Sequence, residues 1–319
     1  MQDIFAVYKK EISDHFSSYR FVILFALIAM VSLITSYMAG LNIKENLEGV
    51  AKPKFIFLML YNTTGTMFSM VQFVAFFGPL IGIVLGFDSI NRERSEGTLI
   101  KIISQPIYRD AIINGKFLAG MTTISIMLVS TVMVISGLGL MLLGIVPGVE
   151  EIWRLLIFVI VSVFYISFWL GLSILFSIFF KSVATSALAA VALWIFLSFF
   201  VSLGASVVAD MIAPIDTVGP KRSEILIKNI RIKDFISLFS PMSLFSNASA
   251  TIVDPMRNTT DSLVLMGPME KISAGRFQNP LPILQSILVV YPYMVILIAL
   301  TLVCFSISYF IFMVQEIRK

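Results

Sequence analysis

The sequence is poor in the residue types that bind metals, form disulfides or solvate a surface. Its 319 residues include one cysteine, Cys304, and one histidine, His15. A disulfide needs two cysteines, and zinc sites are built mainly from cysteine and histidine, so we expect neither a disulfide framework nor a metal site. Only 13% of the residues are charged, about half of the roughly 25% that is typical of soluble domains. The composition therefore favours a protein whose main solvent is lipid.

Two further absences bear on catalysis. The chain contains neither the phosphate-binding loop GxxxxGK followed by Ser or Thr nor the zinc motif HExxH. Ionisable groups within membrane spans are the usual candidates for catalysis in lipid, and the long apolar runs of this chain hold none. We expect no catalytic residue here, and an integral-membrane enzyme is the least favoured interpretation.

Long runs without a formal charge dominate the chain. Each exceeds the roughly 20 apolar residues that cross a bilayer as a helix, and none shows the alternation of a barrel strand. We predict an all-α integral membrane protein, one transmembrane domain over residues 1–319. The predicted spans are about 21–41, 62–87, 116–145, 154–180, 183–208 and 284–313.

The distribution of Lys and Arg predicts the orientation. Most of them in short connections lie in the segments that would face the cytoplasm if both termini were inside. We therefore expect a multi-pass protein of the plasma membrane with cytoplasmic termini. The net charge of +4 follows from this topology and does not indicate a nucleic-acid partner.

Two segments outside the spans have a helical pattern. Residues 3–18 repeat apolar side chains such as Ile4, Tyr8 and Ile12 at helical spacing, which predicts a helix in the cytoplasmic interface of the lipid bilayer; a polar lead-in is the simpler alternative. Residues 209–283 form a long extracytoplasmic segment between spans five and six. Within it, Ser240-Pro241 predicts the start of a helix and Asp254-Pro255 its end.

The segment 88–115, between spans two and three, carries nearly balanced charge. A segment that binds only anionic lipid would be one-sidedly basic, so mixed charge indicates a protein partner. Gly97 is predicted to end one helix and Thr98 to cap a short apolar one, which Pro106 ends. Such a short helix has little of its own chain to bury against, so we expect it in a groove of another protein. A solvated loop with its isoleucines on the membrane surface is the alternative.

The same segment resembles a known family. The run FDSINRERSEGTL at 87–99, followed by Ser104-Gln105-Pro106-Ile107, Arg109 and Gly115-Lys116, is similar to the signature between spans two and three of ABC-2 class permeases. These are the membrane subunits of ATP-binding-cassette exporters. The outer pattern Ser240-Pro241, Leu244-Phe245, Ala248 and Pro255 resembles the branch of copper-maturation and sodium-efflux permeases.

The resemblance implies a mechanism and partners. Two permeases, as a homodimer or a related heterodimer, would work with two copies of a separate ATPase subunit. The ATPase would bind ATP and Mg, with no cofactor in this chain, and the helix after Gly97 would be the coupling helix. The residues that we expect to contact the ATPase are Arg92, Glu93, Arg94, Glu96, Gly97, Thr98, Leu99 and Ile102.

The cargo is less closely defined. Spans without charge favour export of a hydrophobic or amphipathic substrate. Candidate pathway residues are Met67, Met70, Phe73 and Phe77 on span two and Trp194 on span five, although ordinary helix packing explains the same stripe. An alternative keeps the ATPase and transmits its motion to an extracytoplasmic partner on 209–283, with no solute crossing.

Overall fold

The computed structural model describes residues 2–46, 55–62, 69–104, 107–214, 222–255 and 280–315, and all regular secondary structure within them is helical. Residues Phe196–Phe200 form a π-helical turn between two of the helices. The helices are α1 (Gln2–Ser17), α2 (Tyr19–Asn46), α3 (Ile56–Asn62), α4 (Met70–Gly86), α5 (Asn91–Ser95), α6 (Thr98–Ile103), α7 (Arg109–Leu143), α8 (Val149–Phe179), α9 (Val183–Ile195), α10 (Val201–Ile212), α11 (Arg222–Ser237), α12 (Pro241–Val253) and α13 (Ile283–Val314).

Within the described residues, six helical segments are long and apolar enough to cross a membrane, which confirms the predicted all-α membrane architecture. The second of them begins at Met70 rather than near residue 62. Ser69 caps it, because its Oγ accepts a hydrogen bond from the Gln72 backbone N–H and the Gln72 side chain accepts one from the Ser69 N–H. The six spans are Tyr19–Glu45, Met70–Ser95, Arg109–Leu143, Val149–Phe179, Val183–Ile212 and Ile283–Val314.

Helices α4 and α8 form the centre of the bundle and approach each other very closely. A Cβ added at Gly82 would lie 2.6 Å from the carbonyl oxygen of Ile166, and one at Gly86 would lie 2.9 Å from that of Leu170. Small residues four apart permit this contact between helices in lipid. The Tyr165 hydroxyl also donates to the Ala75 carbonyl at 2.7 Å, so the two helices are joined by hydrogen bonds as well.

Helix α12 begins and ends as its sequence predicts, but its position is unexpected. Ser240 is the N-cap, Pro241 is the first residue and Asp254 is the C-cap. The helix turns by 113° from α11 and packs against α8, α13 and α4. All of its residues except Asn247 are buried. Because its side chains are small or apolar on every side, it lies inside the bundle rather than beside it.

A fully buried arginine holds this region together. Arg154 on α8 has 0% exposure and lies over the Phe55 ring at 5.4 Å. Its guanidinium joins the first turns of α8 and α13 to the last turn of α12. It donates to Glu150 Oε1, the Ile252 carbonyl, Ser286 Oγ and the Leu281 carbonyl. We call this side of the bundle the α12 end and the opposite side, with α1, α5 and α6, the α1 end.

Candidate functional site

The charged segment after α4 folds into two short helices at the α1 end. Gly97 separates α5 from α6 with φ of 69°, a left-handed conformation that favours glycine. Gly97, not Thr98, occupies the N-cap position of α6. The Thr98 hydroxyl instead donates to the Glu93 carbonyl at 3.2 Å, so the cap predicted for Thr98 is wrong. Pro106 lies outside the described residues.

Hydrogen bonds fix this segment to two spans. The backbone N–H groups of Ile90 and Asn91 both donate to Ser177 Oγ of α8, at 3.0 and 3.1 Å. Arg94 donates to the side-chain oxygen of Gln315, just after α13, at 2.9 Å. The segment is therefore attached to α8 and to the end of α13, and a force on it reaches both.

Leu99 is buried within its own chain. Its exposure is 0%, and it belongs to the main hydrophobic core, against which Ile102 also packs. Direct contact of Leu99 with a partner is therefore no longer expected, because the ends of the spans supply the apolar surroundings that the short helix lacks. The exposed residues between Asn91 and Lys101 are Arg92, Ser95, Glu96, Ile100 and Lys101. Arg94, Gly97 and Thr98 are half-buried.

An ion-pair cluster joins this segment to α1 and α7. The Lys116 ammonium of α7 donates to Glu11 Oε1 of α1 and to Glu93 Oε1 of α5, both at 2.9 Å. Lys10 lies 3.1 Å from the same Glu11 oxygen and 3.4 Å from the same Glu93 oxygen. The Lys116 side chain is 5% exposed, so water screens these pairs little. We call Lys10, Glu11, Glu93 and Lys116 the Lys116 cluster.

The cluster shifts the ionisation of its members. Burial alone would raise the pKa of Glu11, but the ammonium groups of Lys116 and Lys10 outweigh it, so the pKa lies below its usual value. Burial would lower the pKa of Lys10, yet the Glu11 and Glu93 carboxylates raise it. Burial lowers the pKa of His15, one turn further along α1, despite nearby carboxylates. At neutral pH Lys10 and Glu11 are therefore charged and His15 is neutral.

Helix α1 also packs tightly on α7 beside the cluster. A Cβ at Gly115 would lie 2.8 Å from Val7 Cγ1, and the Tyr8 hydroxyl donates to Thr122 Oγ1 at 3.2 Å. The buried stripe of α1 is therefore Val7 and Glu11, next to the Ile4, Tyr8 and Ile12 stripe that the sequence predicts to face lipid.

A cavity of about 810 Å³ lies beside the cluster, between α1, α2, α4, α5, α6 and α7. Charged side chains line one part of it and apolar side chains of the spans another. The site thus combines a charged outer edge, a buried ion-pair cluster and a cavity, all at one end of a helical membrane domain.

A comparison with protein families identifies the chain. The model of the family described as "ABC-2 family transporter protein" matches residues 5–317. The chain belongs to the ABC-2 transporter family. This confirms the resemblance found in its sequence and makes the chain the membrane component of an ABC transporter, a class that works with an ABC ATPase subunit. No curated protein matches it, and its assignment to the copper-maturation and sodium-efflux branch stays a prediction.

The expected pathway residues of this ABC-2 permease are mostly buried in helix packing. Met70 and Phe73 are each 2% exposed and Trp194 is 8% exposed, while Phe77 is half-buried. Phe76 brings them together, because its ring lies 5.5 Å from Phe77 and 5.8 Å from Trp194. Met67 lies outside the described residues.

Sequence reasoning missed Glu11 and Lys116 as site residues. Lys116 was expected at the edge of span three, but α7 begins at Arg109, so Lys116 lies about two turns inside the helix. Glu11 lies four residues after Val7 and therefore on the same side of α1, which is nearly apolar. A charged residue on such a side is a local signal that it forms a buried ion pair.

Proposed function

We propose that this ABC-2 permease couples ATP hydrolysis by a separate ATPase subunit to export across the plasma membrane. The ATPase docks on the α1 end, at the exposed edge formed by Arg92, Glu96, Ile100 and Lys101. The Lys116 cluster is the observation that carries the proposal, because it joins that edge to α1 and α7. With the α1 end in the cytoplasm, both termini are cytoplasmic, as the Lys and Arg distribution predicts.

The contacts of the docking edge support a mechanical coupling. A displacement of α5 acts on α7 through Glu93 and Lys116, on α8 through Ser177 and on α13 through Arg94. Buried hydrogen-bonded contacts transmit small shifts, because a packed interior deforms little. Motion imposed at the edge therefore reaches three spans without chemistry in this chain.

The distribution of buried charge supports a hydrophobic or amphipathic cargo. Among the described residues, the buried charged side chains are Glu11, Glu93 and Lys116 at the α1 end and Glu151 and Arg154 at the α12 end. The middle of the bundle offers aromatic side chains instead, including Phe73, Phe77 and Trp194 of the expected pathway. In this proposal two permease copies enclose the route.

Replacing Ile100 by Asp tests the docking edge. Ile100 is 41% exposed, so the change leaves the core intact while adding charge to the proposed interface. The tagged permease is purified from membranes, and the co-purifying ATPase is detected by photolabelling with azido-ATP. We expect at least a tenfold loss of the labelled subunit, about the effect of 1.4 kcal/mol.

The matched control is Val146→Asp, which changes a 78% exposed aliphatic side chain at the other end of α7. It should leave the labelled subunit at its original level. Full capture of the ATPase by the Ile100→Asp permease would refute docking at this edge.

A further inference from the structure

The cavity at the α1 end has two kinds of wall. Phe21 and Leu24, in the first turns of α2, and Val84 of α4 contribute apolar surface. Both helices are membrane spans, so this wall continues the apolar surface that contacts lipid. The opposite wall comes from α1 and α5 and carries charged groups. A molecule that fills the cavity must therefore be amphipathic.

The charged wall is balanced rather than acidic or basic. Acidic and basic side chains line the cavity in equal number, and His15 and Tyr19 are the remaining titratable groups of its lining. A wall with balanced charges complements a ligand that carries both signs better than a simple anion or cation. This favours a zwitterionic head group.

Two buried oxygens in the cavity wall need hydrogen-bond donors. Glu93 is 9% exposed, and its Oε1 receives Lys116 and Lys10. Glu93 and Ser89 both line the cavity. The second carboxylate oxygen, Glu93 Oε2, and the Ser89 Oγ are buried and have no hydrogen-bond partner in the described part of the chain. Buried acceptors are normally paired, so these two indicate a ligand that donates N–H groups.

An ammonium group fits these acceptors better than a metal ion. Within the described residues, no group of three His, Cys, Asp or Glu side chains is arranged to hold a metal. Cations for an accompanying phosphate line the same cavity, on α2 and α6. Arg20 pairs with Asp88 and is half exposed, and Lys101 is exposed.

We propose that the cavity binds an aminophospholipid from the adjacent leaflet. Its primary ammonium donates to Glu93 Oε2 and Ser89 Oγ, its phosphate lies near Arg20 and Lys101, and its acyl chains lie along Phe21 and Leu24. All of these residues belong to the permease, although Lys101 also lies on the proposed docking edge. Lipid binding is therefore tested without the ATPase, and it can fail or succeed independently of the proposed coupling.

The test measures lipid preference in purified permease without ATPase, reconstituted in phosphatidylcholine nanodiscs. The probes are tail-labelled phosphatidylethanolamine, phosphatidylcholine and phosphatidylglycerol. Phosphatidylcholine keeps both charges but has no N–H, and phosphatidylglycerol has no ammonium. We expect phosphatidylethanolamine to bind about tenfold more tightly than either, the effect of a charged hydrogen bond. Equal binding of phosphatidylethanolamine and phosphatidylcholine, or a preference for phosphatidylglycerol, would overturn the proposal.

Ser89→Ala removes one acceptor and leaves the Lys116 cluster intact. We expect it to reduce the preference for phosphatidylethanolamine over phosphatidylcholine several-fold. Ser95→Ala is the matched control, because Ser95 is exposed and, within the described residues, its hydroxyl bonds only to the Arg92 carbonyl of its own helix. The Ser95→Ala permease should keep the original preference for phosphatidylethanolamine. An unchanged preference in Ser89→Ala would argue against the site.

Soluble glycerophosphoethanolamine, which has the same head group, tests the source of the ligand. Because the apolar wall contributes to binding in the proposal, the soluble compound should displace the labelled lipid poorly. Displacement at equal concentration would overturn the assignment to the bilayer.

Discussion

Replacing Lys116 by Met tests whether the Lys116 cluster holds α1 in place. Removing one partner of a buried ion pair costs about 3–5 kcal/mol, because the remaining charge is left uncompensated. Lys10 stays beside both carboxylates, but its side chain is 53% exposed, so water screens it and it compensates only in part. We therefore expect the free energy that holds α1 against the rest of the protein to decrease by about 2–3 kcal/mol.

Hydrogen exchange of the α1 amides measures this loss, because local opening sets their exchange rate. For 2–3 kcal/mol the exchange should become about 30- to 150-fold faster. Lys181→Met is the matched control, since Lys181 is exposed, does not line the cavity and should leave α1 unchanged. Adding Glu11→Gln and Glu93→Gln to the Lys116→Met permease removes the stranded charges and should restore part of the protection. Exchange of α1 within about threefold of the original in Lys116→Met would refute the reasoning, given the magnitude above.

Three further predictions concern stability. Burial lowers the pKa of His15, so below pH about 6.5 the unfolded chain binds a proton at this residue that the folded chain does not. The thermal midpoint should therefore decrease as the pH is lowered from 7 to 5. The His15→Gln variant should lose this dependence on pH. The Gly82→Ala variant should be less stable in thermal unfolding, because the added Cβ would contact the α8 backbone. Gly137→Ala is the control, since a Cβ at Gly137 would have nothing within 4 Å. It should leave the stability unchanged or raise it by about 0.5–1 kcal/mol. Arg154→Lys keeps the charge but loses the planar fork, so we expect about 2–4 kcal/mol of destabilisation in the same assay, and an unchanged midpoint would contradict the role of Arg154 at the α12 end.

The fold was predictable where the signal is local. Six charge-free runs predict six spans, and Ser240-Pro241 and Asp254 mark the ends of α12, because span length and helix caps depend on neighbouring residues. The burial of α12 was not predictable in the same way. It depends on surfaces of α8 and α13, which are distant in the sequence.

The candidate site was predictable only in outline. Gly97 was predicted to end one helix before a short second one, and it does lie in a left-handed turn between α5 and α6. Leu99, which the resemblance places in contact with the ATPase, is buried within this chain, because its surroundings come from the spans. Glu11 and Lys116 are 105 residues apart, so no local pattern could pair them.

The glycine contacts of α4 also restrict how the protein moves. With carbonyl oxygens of α8 directly against Gly82 and Gly86, neither helix has room to slide or rotate past the other. The most hydrophobic windows of these two spans are 72% buried, while those of α2 and of the α9–α10 span are 22% buried. In a transport cycle the bundle must therefore open along the less buried outer helices. Helices α4 and α8 would then move together as one rigid body.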